Sequence, residues 1–433
     1  MLAFHLARFK VDATPPLGHP LCGGWITPAR AVDDPLWLRG LVIQAEGPPV
    51  VLAAFDWTGI LNRSHQLWRE ALADAARTSP DRVAIHTVHQ HNAPFIDHDA
   101  NQWLAQARSE PLIFDPKWHD ALIDRARARV RAALDGAVPV THVGFGLAPV
   151  AKVASNRRVM GPDGKVAHIR FSACPDPAVR AAPEGTIDPN LRSVAFYGPD
   201  DRPLARLHYY TTHPMSYYGD GRVTADFVGI ARNRRQTAEP DCRTVYFTGC
   251  AGNITAGKYN DGSPDNRAIL ADRLHAGMIA ADTRADTNRH AFTFLRWSTH
   301  TLQLQPFEDL DAETLQARIH DPARTTAERN SAAMRLSFLR RCESRHGLVL
   351  VRCDLPGVTL LHLPGETFVE YQLEAQQLLP DAPLATAAYG DDGPWYLCLE
   401  RSFAEGGYEP TASFAARSSE HPYRAAIRSL LSF

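Results

Sequence analysis

The sequence predicts an α/β protein: mixed, largely parallel sheets of βαβ units with flanking helices, and a candidate metal site at the strand carboxyl ends. Three observations predict it. Apolar runs alternate with helix-period segments at three separate places in the chain. Histidines, a glutamate and tyrosines follow directly on those apolar runs, where open α/β sheets form their ligand sites. Last, "HTVHQH" sets three histidines within six residues, more imidazole than a turn needs.

In chain order, "PPVVLAAFDWTG" reads as a strand closed by Asp56, and "SHQLWREALADAARTSP" as a helix with Ser64 as its N-cap. "RVAIHTVHQHNAP" is the second strand of that unit. The pattern returns in "LARLHYYTTHPMS", "ADFVGIARNRRQTAEP" and "TVYFTGCAGN", and again in "VTLLHLPGE", "TFVEYQLEAQQLLP" and "PLATAAYGDDGPWY". Between the first two units lie a long helix, "DPKWHDALIDRARARVRAALDGA", and a loop-rich stretch near residues 150 to 195. Residues 306 to 346 read as polar helix with no place in the sheet pattern. No repeat of fixed period occurs, and residues 1–433 read as a single domain with excursions.

Composition narrows the function classes. The chain has 433 residues, 45% hydrophobic and 22% charged, with net charge −2 at pH 7. That is ordinary for a globular protein and gives no nucleic-acid footprint. Seven cysteines are scattered without a C-x-x-C pair, which argues against a disulfide framework or a cysteine-rich zinc ribbon. The N-terminus lacks an apolar signal core and no run of 18 apolar residues exists. The expectation is a cytoplasmic protein with no membrane span. Composition leaves the oligomeric state open.

Each candidate residue has a bland reading beside the chemical one. His89 and His91 are two apart, so in extended chain both side chains share a face, roughly 6.6 Å apart. They are either metal ligands or solvated loop histidines. His213, before a proline in "TTHPMS", reads as a turn residue or a ligand. Glu366, in "LHLPGETF", reads as a first-turn glutamate favoured by the helix dipole or as a ligand. Tyr396 and Tyr408 read as packing aromatics, and Arg157 and Arg158 as surface charges. "GCAGN" is a plain turn or a nest of backbone N–H groups for an oxyanion. Asp56 and Asp226 are caps, or acceptors that orient a ligand histidine.

Taken in order, "VDATPPLG", "HQHNAP", "NRR", "THP", "ADFVG", "GCAGNITAG", "LPGE" and "GPWYLCLERSFAEGGYEP" resemble the neutral, non-lysosomal ceramidases, specifically their zinc-binding catalytic domain. The resemblance implies a Zn²⁺ held by His89, His213, Glu366 and Tyr396, with His91 as the adjacent catalytic histidine. It implies that Arg157 and Tyr408 face the reacting carbonyl. The departures are that "HQHNAP" stands where the family has H-T-H-S-G-P, and that Asn253 and Thr255 replace Asp and Ser. The chain also ends without the C-terminal β-sandwich of the long ceramidases, as a short bacterial-type relative would. The expected activity is zinc-dependent hydrolysis of a small-molecule N-acyl amide, with ceramide itself disfavoured. An esterase or lactonase on the same site, and a non-catalytic zinc protein, are the alternatives.

Overall fold

The computed structural model describes residues 4–432. Three sheets carry the fold. The first has the spatial order Val83–Thr87, Val50–Phe55, Trp37–Gln44, Phe4–Asp12, Val138–Val140. The second runs Arg243–Thr248, Pro203–Tyr210, Asn190–Tyr197, His142–Pro149, Arg289–Ala291. The third runs Arg296–Leu302, Leu348–Leu355, Val358–His362, Leu384–Ala387.

Each sheet contains one parallel ladder. Val50–Phe55 pairs with Val83–Thr87, Pro203–Tyr210 with Arg243–Thr248, and Val358–His362 with Leu384–Ala387. A helix lies between the two strands of each pair: Asn62–Ala76, Asp226–Ala238 and Val369–Leu378 respectively. The other ladders of these sheets are antiparallel, so the expectation of largely parallel sheets fails. The reason is the length of the connections. Residues 45–49 alone join Trp37–Gln44 to Val50–Phe55, and so short a link suits only an antiparallel pair. The parallel strands of the first sheet are buried along their whole length, as strands covered on both faces must be.

Local starts and stops differ from the sequence expectation in two places. Ser64 is not a cap: the helix starts at Asn62, and the Ser64 hydroxyl lies 2.8 Å from His98 Nδ1. Asp226 is the first helical residue rather than the cap, and its carboxylate accepts from the backbone N–H and hydroxyl of Ser216. The long helix spans Pro116–Asp135, with proline at its start and the Asp115 carboxylate accepting from Lys117 N. Residues 150–195 hold short strands and the small helix Pro177–Ala181 rather than plain loop.

The polar stretch after residue 306 forms two helices, Ala312–His320 and Thr326–Glu343. They leave the third sheet between Leu302 and Leu348, which face each other across the ladder. Thr325 and Glu328 form a reciprocal capping box at the second helix. Its inner face buries Met334, Leu336 and Phe338. Among the described residues, no helix is long and apolar enough to cross a membrane.

Candidate metal centre

His89 lies two residues past Thr87, His213 three past Tyr210, Glu366 four past His362 and Tyr389 two past Ala387. All four therefore leave the carboxyl ends of strands in parallel pairs. Glu366 and Tyr396 are direct partners in a two-residue parallel ladder, Glu366–Thr367 with Tyr396–Leu397, so their side chains share one face. Gly252 lets this ladder approach: a Cβ there would stand 2.3 Å from the Glu366 carbonyl oxygen.

The backbone of His89 is left-handed, with φ 76°, a conformation that costs a non-glycine residue on the order of 1–3 kcal/mol. His89 N donates to Trp57 O at 2.8 Å and so holds the turn. Its Nδ1 is 2.6 Å from Thr58 O, and His213 Nδ1 is 2.7 Å from Ala251 O. A carbonyl only accepts, so each Nδ1 carries the proton and each Nε2 presents a lone pair. Those lone pairs converge. His89 Nε2 is 3.3 Å and His213 Nε2 3.2 Å from the same oxygen, Glu366 Oε2. His91 Nε2 is 3.4 Å from His89 Nε2. Glu366 Oε2 is buried with no hydrogen-bond partner.

Acceptors facing acceptors repel unless a cation lies between them. Ligand bonds of about 2.0–2.1 Å in tetrahedral array put neighbouring ligand atoms roughly 3.3 Å apart, which matches these separations. The donor set, imidazole nitrogens with a carboxylate oxygen, fits a divalent ion such as zinc. His89, His91 and His213 each offer a nitrogen within a common span of 4.8 Å.

The other expected residues surround this cluster. Arg157 is buried, donates from Nη1 to the Tyr396 hydroxyl at 3.3 Å, and packs its Nη2 3.0 Å from both ring nitrogens of His213. Tyr408 meets the Tyr396 ring edge-on at 5.7 Å. Burial, then the Glu366 charge, pushes its phenol up to about 12. Burial likewise holds the Tyr396 phenol well above its ordinary value, against the pull of Arg157.

Three sequence readings are corrected. Asp56 does not orient a ligand histidine; it pairs with Arg232 and accepts from Trp37 N. Asp226 is likewise engaged by Ser216 and Arg267, and backbone carbonyls orient the two imidazoles instead. In "GCAGN", three of the five N–H groups are already engaged. The N–H groups of Gly249, Cys250 and Gly252 already donate to Tyr210 O, the Gln372 side chain and Thr367 O. The loop's contribution is the Ala251 carbonyl. Arg158 is no surface charge, being buried against Glu405 and Glu409.

Sequence reasoning missed Glu409 and Tyr218, and placed Tyr389 at a strand end without giving it a role. Glu409 is fully buried, 3.7 Å from Arg157 Nε and 3.0 Å from Arg158 Nη1. Tyr389 stacks on His89 at 4.5 Å, and Tyr218 stands edge-on to His91 at 4.9 Å. Only Glu409 left a signal, as an acid beside Tyr408 in "GGYEP". A second grouping, His98, His119 and Asp120, also clusters. There His119 Nε2 accepts the Trp68 N–H, so the neutral ring keeps a proton on Nδ1, the nitrogen toward Asp120, and that nitrogen offers no lone pair to an ion.

His89, His91, Glu366, Tyr396 and Tyr408 line one pocket of about 440 Å³. The candidate centre is therefore open on one side.

No protein-family model matches the chain, and no curated protein does. Solved structures match. Over 100% of this chain and 75% of the other, it superposes on the crystal structure of neutral ceramidase from Pseudomonas aeruginosa with TM-score 0.71 and 14% identity. A ceramidase complexed with C2 gives TM-score 0.73 at 13% identity with the same coverage. At such identities the likeness carries the fold.

Proposed function

We propose that residues 1–433 form one catalytic unit of a zinc-dependent hydrolase that cleaves a non-peptide amide, an N-acyl bond, in a small molecule. One observation carries the reading. Imidazole lone pairs and a partnerless buried carboxylate oxygen face one another at ion-ligand spacing on the wall of a pocket. The ceramidase structures that share the fold support amide chemistry. The open side speaks for catalysis over a closed structural zinc, which keeps no position free for water.

His89, His213, Glu366 and Tyr396 would hold the ion. When bound, zinc supplies Lewis acidity and lowers the pKa of water from 15.7 to about 7. The chain's own groups do the rest. Tyr408 keeps its phenolic proton through neutral pH and donates it as a hydrogen bond to the oxygen of the reacting carbonyl. Arg157, anchored by Glu409, adds a fixed positive charge beside the same oxygen. His91 takes up a proton at Nε2, which faces the cluster, and returns it to the leaving nitrogen. The aromatic walls exclude water.

Metal analysis and a panel of N-acyl amides and esters test the proposal. The wild-type protein should carry stoichiometric zinc, and His89→Ala should lose it. Arg157→Ala should keep the metal and lose about 10²- to 10³-fold in kcat. Full turnover and full zinc in His89→Ala would overturn the assignment. Bound zinc with no turnover of any amide or ester would make the protein a structural zinc binder.

A further inference from the structure

The pocket beside the candidate centre does not end there. Its wall is largely aromatic: Tyr218 stands beside His91, and Trp25, Phe95 and Trp395 pack on one another. Ser331, Arg335 and Thr411 line it as well, and these three also line a wider recess of about 740 Å³. Arg335 thus stands where the two spaces meet, half-buried on the Thr326–Glu343 helix.

Its bonding is incomplete. Nη2 donates to Thr411 O at 3.2 Å, and the guanidinium lies 4.7 Å over the Phe414 ring. Among the described residues no carboxylate lies within 4.0 Å of it, although buried arginines nearby, such as Arg157 and Arg158, are each paired. The charges of the recess do not cancel it. Arg324 is paired with Asp321 and Glu328, and Arg417 with Glu308. The Asp311 carboxylate caps the Ala312–His320 helix, and Glu328 also serves its capping box. Among the described residues Arg318 and Arg335 have no carboxylate partner, and Asp309 alone is left to oppose them. A half-buried planar fork of donors beside an apolar wall recognises an anion of matching shape, and a carboxylate matches it bidentately. Low local dielectric strengthens such a pair.

We propose that Arg335 determines specificity by receiving a carboxylate of the substrate, so that the molecule cleaved is an anionic amide that spans the aromatic pocket. This rests on the hydrolase reading above. It differs from that reading in a way that can be tested separately, because it concerns the ratio between two substrates and not the existence of turnover.

The test uses N-benzoyl amino acids of increasing chain length and their uncharged carboxamides, with full-length zinc-loaded wild type and Arg335→Met. At the best length, wild type should favour the acid by about 10-fold or more in kcat/KM, mainly through KM, and Arg335→Met should bring the ratio near one. A wild-type ratio near one, or a preference that survives in Arg335→Met, overturns the proposal. Absence of any turnover would count against the hydrolase reading, and binding then decides Arg335. Titration calorimetry with phenylbutyrate and phenylbutyramide should give carboxylate-selective binding in wild type that Arg335→Met loses. Equal carboxylate binding by both proteins would mean the anion sits on the metal cluster, and no binding by either would mean there is no anion site. Both outcomes overturn the proposal.

Discussion

At the scale of single residues, the candidate centre is held by groups that no motif could announce. The imidazoles were legible as short patterns, because "HQH" and "THP" are rare enough to notice. Their orientation was not, since it comes from the carbonyls of Thr58 and Ala251, and every residue has a carbonyl. Aspartates therefore drew the reading that belonged to backbone. Glu409 shows the same limit. It is fully buried, and its two oxygens serve Arg157 and Arg158, yet in sequence it is one acid among 48 acidic residues. Glu409→Gln keeps its shape and removes its charge, leaving the buried Arg157 without its counter-ion and Arg158 with Glu405 alone. Breaking a buried pair in this way costs about 3–5 kcal/mol. Urea unfolding should show that loss, with turnover reduced and zinc content kept; an unchanged midpoint would mean the arginines are solvated.

At the scale of elements, the three strand–helix–strand stretches were legible because apolar runs and helical spacing are local properties. Ladder direction elsewhere was not, because it depends on which strand lies alongside. The polar helices after residue 306 had no place in the sequence pattern for a physical reason: their outward face lines a solvent-filled recess and not a sheet. One buried carboxyl ties this region down. Asp97 caps the His98–Gln106 helix through Ala100 N and accepts from Ser337 of the Thr326–Glu343 helix and Asn62 of the Asn62–Ala76 helix. Burial pushes its carboxyl up to about 7. The sign follows: the folded state holds this proton more tightly than the unfolded chain, whose Asp titrates near 3.9. The stability this group contributes is thus full below about pH 4 and is lost as pH rises through about 7. Asp97→Asn has no such proton. Its unfolding free energy should gain on wild type between pH 4.5 and 8, by on the order of 3 kcal/mol. A constant gap across that range would contradict the assignment.

At the scale of the molecule, the candidate ligands come from residues 89 to 396, and the turns that carry them follow strands of all three sheets. An ion bound there ties the three sheets together and binds the native state only, so it stabilises by mass action, about 2.7 kcal/mol at a hundredfold excess over Kd. Dialysis against a chelator should lower the melting temperature by several degrees, zinc should restore it, and His89→Ala should respond to neither. A melting temperature indifferent to chelation would count against the metal centre. Sequence pattern reached this scale through the order of its short motifs, whereas the pocket and its arginine were out of reach, because a cavity is a property of what surrounds it.

The two helices that wall the recess interrupt a hairpin whose flanking residues, Leu302 and Leu348, already face each other. Their outward positions, Thr314, Arg318, Ser331 and Arg335, form a patch that can be rewritten while the sheet keeps its register. Under the proposed roles, reactivity and choice of molecule are housed in separate parts of one chain. Grafting a different helical pair at this junction is the economical route to an enzyme with the same chemistry and a new diet.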